Sequence, residues 1–288
     1  MEALTREFVA FAKERRVDLL GVAPIERFDD VAPEHHPRAI FPEVRSVVVV
    51  GKRIPRGALR GIEEGTHFDA YGMFGLNWLK DRMLAVTTIA LATWLEDHRW
   101  EACPVQDLDP RIPPSGIPVR PAAPAPNVMI DVRAAAVRAG LGEIGFCGEV
   151  LTPQFGPRQR FQLVLTDAPL TPTPMLATAV CDHCGACAGS CPLGAIKGQG
   201  KLTIAGKTMV VGVVDYAQCR SCRNGARPNG DHPAGLPDRL GALCVRSCVN
   251  HLERERTVGN ALDKPFRTRP AWACDSQGKV RLLDDGGR

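Results

Sequence analysis

Four cysteines fall within sixteen residues in CDHCGACAGSCPLGAI (Cys181 to Ile196), at the spacing C-x2-C-x2-C-x3-C-P. Three thiolates so spaced wrap one iron–sulfur cube from a short turn, and the fourth, ahead of its proline, points to a second cube. Cys181, Cys184, Cys187 and Cys191 fill these positions, followed by Pro192. A second cube needs further thiolates, and the chain has Cys219 and Cys222 in CRSC and Cys244 and Cys248 in CVRSC. The crossed arrangement gives Cys181, Cys184, Cys187 and Cys248 to one [4Fe-4S] cluster. It gives Cys191, Cys219, Cys222 and Cys244 to the other. Two features depart from the compact pattern: a 21-residue insertion separates Cys222 from Cys244, and Val249 stands where a proline is usual. C-x2-C-x21-C-x3-C is also a spacing for a closed zinc site. The two-cube reading gives Cys191 a role and the zinc reading leaves it an orphan. Cys103, Cys147 and Cys274 remain and read as small hydrophobes. The histidines read as exposed loop imidazoles.

Positioning these thiols is the work of the rest of the chain. The opening MEALTREFVAFAKERR predicts a charged amphipathic helix over 3–16, not a signal peptide. Val17 to Ile25 and Val44 to Ile54 predict strands, the second with four consecutive valines that imply burial on both faces. A long helix is expected over 78–98. Its apolar run, Leu84 to Leu95, is too short to cross a bilayer and reads as a buried helix. Pro104 to Asn127 is proline-rich and reads as a long functional loop. A helix ending at Gly140 or Gly142 and a strand near 159–166 follow. The alternation through residue 170 implies an α/β (α+β) first domain, 1–172, with a boundary at the TPTP of 171–174. Residues 173–288 form a cysteine-rich second domain with little regular pattern. A net charge of +4, with 44% hydrophobic and 24% charged residues, describes an ordinary globular chain and not, by itself, a nucleic-acid binder. Cysteines at metal spacing, without a secretion signal, place the protein in a reducing cytoplasm, with no membrane partner.

The stretch RAAAVRAGLGEIGFCGEVLTPQFGPRQRFQLVLTDAPL (Arg133 to Leu170), with the cysteine motif close behind it, resembles the epoxyqueuosine reductases and corrinoid-dependent reductive dehalogenases. The resembling elements are AGLGEIG, LTPQFGPRQR and VLTDAPL, with DLLGVAPI and VRSVVVVG nearer the N-terminus. This resemblance implies a nitroreductase-like corrinoid- and substrate-binding domain joined to a ferredoxin-like double-[4Fe-4S] module, with cobalamin between them. Arg158, Gly142 and Gly145 are then candidates for holding the cofactor. An external low-potential donor of the ferredoxin or flavodoxin type would feed the clusters. The expected activity is a cobalamin- and iron–sulfur-dependent reductase acting on a small or nucleoside-like substrate. Two alternatives stand beside it: a non-catalytic electron carrier, and a short epoxyqueuosine reductase acting on tRNA.

The proton donor departs from both branches. The acid that epoxyqueuosine reductases carry before AGLG falls here near Pro126 or Asn127, and the nearest acid is Asp131. The tyrosine that dehalogenases use is missing from 100–127, the chain's two tyrosines being Tyr71 and Tyr216. Asn127 and Arg160 resemble an asparagine and an arginine at dehalogenase pockets. The candidate catalytic residues are therefore Asp131, Arg160, Asn127 and Tyr71. Each also has a plain structural reading: helix cap for Asp131 and Asn127, wall residue for Tyr71, surface ion pair for Arg160.

Overall fold

The computed structural model describes residues 1–283 and is a mixed α/β fold. Its main sheet has four strands in the order Leu19–Pro24, Ser46–Arg53, Gln159–Thr166, Ala102–Val105. Every pairing is antiparallel. Alternating helices and strands suggest parallel crossovers, but here the long strands 46–53 and 159–166 pair side by side across more than a hundred residues of sequence. The valine run alternates between the two faces. Val47 and Val49 join a core with the helix Val132–Arg138, and Val48 and Val50 join one with Phe8, Leu91 and Leu95. Layers on both faces bury the sheet, so an antiparallel strand reads as continuously hydrophobic.

The long helix runs over residues 69–97 and not 78–98. It passes through π-helical turns at Gly72–Asn77 and Leu79–Leu84 before the regular helix Ala85–Asp97. The burial expected of its apolar run holds on one face only: Leu84, Leu91 and Leu95 are buried, whereas Val86 and Ile89 are exposed.

The cysteine-rich half has more regular structure than its sequence pattern suggests. The strands Ile196–Ile204 and Lys207–Val214 form a hairpin, and Leu243–Arg254 is a helix. That helix shares a hydrophobic core with Ile54, Leu59 and Ile62 from the first half. The segment 267–281, which could pass for a solvated tail, packs down: Trp272–Cys274 pairs with Val280–Leu282, and Trp272 Nε1 donates to the Ile62 carbonyl at 2.7 Å.

Charge also ties the halves together. Arg246 is fully buried, and its Nε donates to Glu63 Oε2 at 2.7 Å; Arg267 donates to the other Glu63 oxygen. Burial opposes ionisation of Glu63, but the two guanidinium groups prevail and hold its carboxyl below the usual range. A lowered acid pKa supplies stability above the unfolded value, lost as pH falls through the folded one. Glu63→Ala would strand Arg246 in the core, with an expected loss of about 3–5 kcal/mol. Urea unfolding reads this directly, and an unchanged midpoint would mean the ion pair is energetically idle.

Candidate functional site

The cysteines converge from three separate stretches. Cys184 and Cys181 sit on the turn before the short helix Ala186–Gly189, which carries Cys187. Cys219 lies on Tyr216–Arg220, and Cys244 and Cys248 occupy successive turns of Leu243–Arg254. The electrostatic neighbours of Cys219 are Cys191 and Cys222, and Cys244 lies close to Cys191. Those of Cys248 are Cys147, Cys187 and Cys181. Cys187 also has Cys244 as a neighbour, so the thiols lie together, with Cys191 facing Cys219 and Cys244 in the second set of the crossed arrangement and with Cys248 facing Cys181 and Cys187 in the first. Burial raises the Cys187 and Cys244 thiols to about 12, a cost that metal ligation would offset. Cys147, read from sequence as a spare hydrophobe, is a buried neighbour of Cys248.

Donors already point at several sulfurs. The Phe146 amide donates to Cys181 Sγ at 3.4 Å and the Ala195 amide to Cys191 Sγ at 3.3 Å. Asn224 Nδ2 donates to Cys222 Sγ and Arg239 Nη2 to Cys244 Sγ, both at 3.6 Å. N–H bonds to ligand sulfurs tune iron–sulfur clusters. Glu143, inside AGLGEIG, anchors the first loop: its Oε1 accepts from the amides of Val180 and Cys181 at 2.7 and 2.8 Å. The spacing of the cysteines alone carries no hint of this role. At the exposed corner of the first set, His251 Nε2 and Asp182 Oδ2 meet at 2.6 Å beside Cys184.

Next to the second set lies a cavity of about 540 Å³. Its walls come from the π-helical turns, the loop after Ala102–Val105, the start of helix Val132–Arg138, strand Gln159–Thr166 and the insertion between Cys222 and Cys244. Arg239 joins the cavity to the cysteines. It lines the wall, donates to Cys244, and faces Glu149 Oε1 at 3.6 Å, while its Nε and Nη1 are buried without hydrogen-bond partners.

Two of the sequence candidates line this cavity. Arg160 is held by three bonds: Nε to the Gly75 carbonyl at 2.9 Å, and Nη2 to Tyr71 Oη at 2.8 Å and Asp238 Oδ1 at 2.9 Å. Its partner is thus a partly buried insertion carboxylate and not a surface one. Asp131 caps the helix Val132–Arg138, with Oδ1 accepting from the Arg133 and Ala134 amides at 2.9 and 3.1 Å. Tyr71 stands behind the wall, fully buried. Burial first, and the neighbouring Asp238, keep its phenol neutral, and it donates to Asp238 at 2.5 Å.

The others lie elsewhere. Asn127 is an exposed residue with φ of 67° whose Nδ2 donates to Ser115 Oγ at 2.9 Å, away from the cavity. Arg158 bonds the Ile54 carbonyl at 3.0 Å and Asn260, and pairs with Glu253. Gly142 and Gly145 serve close packing: a Cβ on Gly142 would meet the Leu151 carbonyl at 2.3 Å, and one on Gly145 the Leu151 side chain at 2.4 Å. None of these three lines the cavity.

Two cavity acids escape sequence reasoning. Burial pushes Asp107 up, against the pull of Lys80, Arg160 and Arg133 and with help from the charge on Asp131. Burial likewise raises Glu149, against Arg239 and Arg133. Asp107 is one acid in a proline-rich loop, and only its neighbours distinguish it.

No protein-family model matches the chain. It is 37% identical over 91 residues to the tetrachloroethene reductive dehalogenase of Sulfurospirillum multivorans, covering 31% of this chain and 18% of that one. It is 26% identical over 174 residues to the epoxyqueuosine reductase of Staphylococcus aureus, covering 60% and 41%. The chain therefore spans less than half the length of either curated relative. Among solved structures, a reductive dehalogenase described as suggesting a mechanism for B12-dependent dehalogenation superposes with a TM-score of 0.55 at 17% identity, over 97% of this chain and 41% of that one. With a shorter match at higher identity to one group and a longer match at lower identity to the other, the chain is similar to both the reductive dehalogenases and the epoxyqueuosine reductases, and both groups of relatives are oxidoreductases.

Proposed function

We propose that the chain is an iron–sulfur- and cobalamin-dependent reductase. In this reading residues 1–172 form a nitroreductase-like domain for corrinoid and substrate, and 173–288 a ferredoxin-like double-cluster module. The observation that carries it is the contact of one arginine, Arg239, with both Cys244 and the cavity. The thiols suit [4Fe-4S] clusters in donor chemistry. Tetrahedral zinc at a Zn–S distance of ~2.3 Å would gather sulfurs to ~3.8 Å. Among the described residues, no three cysteine sulfurs lie within 4.8 Å of one another. Arg239 sets a buried cation between the cavity wall and Cys244, with Glu149 facing it at 3.6 Å.

When bound, these groups would supply low-potential electrons for reductive cleavage of a substrate bond. The chain's own residues do the rest. Cys184, the exposed thiol of the first set, marks the face where an external ferredoxin- or flavodoxin-type donor would dock. Arg160, fixed by Gly75, Tyr71 and Asp238, presents a preorganised cation to the cavity. Asp107 is the candidate proton donor, because desolvation raises its carboxyl above the ordinary range. Asp131 holds the helix Val132–Arg138 in place and adds negative charge beside Asp107. The substrate is a small molecule with a reducible carbon–halogen or carbon–oxygen bond, the classes named by the relatives.

The test is a cofactor inventory of anaerobically purified protein. About eight iron atoms and no zinc per chain are expected, with a base-off cob(II)alamin spectrum after reconstitution. About four iron and one zinc would return the second set to a structural site. Eight iron with no cobalamin binding would leave an electron carrier.

A further inference from the structure

We infer that Tyr216 is a positioning residue whose ring holds Arg239 against Cys244 and thereby raises the reduction potential of the second cysteine set. The inference rests on the two-cluster reading proposed above. Arg239 is a charge in the interior, 2% exposed, and its polar contacts are long. Glu149 Oε1 stands 3.6 Å from its Nη1 and Cys244 Sγ 3.6 Å from its Nη2, while its Nε and Nη1 are buried without hydrogen-bond partners. A ring supplies a further contact: the guanidinium carbon lies over Tyr216, 5.6 Å from the ring centroid. A cation over an aromatic face is drawn to the negative side of the ring quadrupole, most strongly where water is excluded.

The ring is itself fixed in register with the second set. Tyr216 opens the helix Tyr216–Arg220, which carries Cys219, and Asp215 caps that helix, its Oδ1 accepting from the Gln218 amide at 3.2 Å. Gly148, at φ of 81°, keeps this corner tight: a Cβ there would stand 3.3 Å from Arg239 Nη1 and 3.7 Å from Tyr216 Oη. A second guanidinium, that of Arg111 from the proline-rich loop, lies over the same ring at 4.5 Å. Arg111 is exposed and Arg239 buried, so the ring carries one solvent-facing cation and one interior cation. Tyr216 and Arg239 both line the cavity, and the bond from Arg239 to Cys244 brings the interior charge to the second set. Positive charge at a ligand sulfur favours the more negative, reduced cluster, so the ring acts on the potential through the arginine. The face of the ring makes this contact, and the hydroxyl has no part in it.

Anaerobic potentiometric titration of the iron-loaded full chain, followed by electron paramagnetic resonance, tests this. The wild type should show two redox waves, and the one missing from C191S belongs to the second set. R239Q should lower that set's reduction equilibrium by about tenfold, ~59 mV for one electron. Y216L should lower it by about threefold, with full iron content and the first wave in place. Y216F, which keeps the ring, should not move it. Y216L in the R239Q background should add nothing, because Tyr216 acts through the arginine. Fluorine on a phenylalanine ring at 216 weakens the negative face with little change in size, so it tests the same contact when Y216L loses iron; the potential should fall with each fluorine added. Three outcomes overturn the proposal while leaving the two-cluster reading intact. In the first, the second wave stays in place in Y216L or with the fluorinated rings. In the second, Y216F lowers it as far as Y216L. In the third, Y216L lowers it equally with and without Arg239. A single wave in the wild type overturns the proposal together with the two-cluster reading.

Discussion

Asp107→Asn is expected to lower turnover by about 10²–10⁴-fold while leaving iron content, cobalamin binding and folding unchanged. The assay reads reduction of a halogenated or epoxide substrate with a low-potential dye as donor. The reasoning is local. Asp107 lies in the cavity wall with Arg160, Arg133 and Lys80 around it, and burial outweighs their pull, so its carboxyl stays protonated to higher pH than an ordinary aspartate. A proton donor works only while protonated. Wild-type turnover should therefore fall on the alkaline side as pH rises through the raised Asp107 value, and that limb should vanish in the variant. Asp131→Asn is the control, because asparagine also caps a helix. It should keep most of the activity. If Asp131→Asn abolishes turnover and Asp107→Asn does not, the proton comes from the cap residue, and the raised Asp107 is a consequence of burial alone.

Cys191→Ser should halve the iron, from about eight to about four atoms per chain, and leave the first set's spectrum intact. Cys191 sits among Cys219, Cys222 and Cys244, yet it belongs in sequence to the motif that supplies the first set. Loss of its thiolate should also silence turnover, because Arg239 links that set to the cavity through Cys244. Cys147→Ser provides the contrast. Cys147 neighbours Cys248 but is surplus to the four thiolates of the first set, so full iron content is expected. If Cys147→Ser loses four iron and Cys248→Ser loses none, the ligand at that corner is Cys147. Full iron in Cys191→Ser would remove the crossed arrangement altogether.

The thiol spacings, the buried valine strand and the helix stop at Gly140 were all legible in the sequence. The spacings and the helix stop are decided within one or two turns of chain: C-x2-C turns the backbone back on itself, and Gly140 takes φ of 73°, the left-handed conformation that ends a helix. The cavity was not legible. Asp107, Asp131, Glu149, Arg160 and Arg239 come from separate stretches, and nothing in its local sequence marks Asp107 out within the proline-rich loop. The insertion reads as a gap between ligands, yet it delivers Asp238 to Arg160 and Arg239 to Cys244. Gly142 and Gly145 read as cofactor positions and turned out to face Leu151, because a glycine records that something approaches closely and not what approaches. The apolar run 84–95 read as buried, because hydrophobicity shows which residues avoid water but not which neighbour covers them. Local geometry is set by bonds along the chain; burial, and the pKa and contact it imposes, is set by residues brought together across it, and only the tertiary structure decides those.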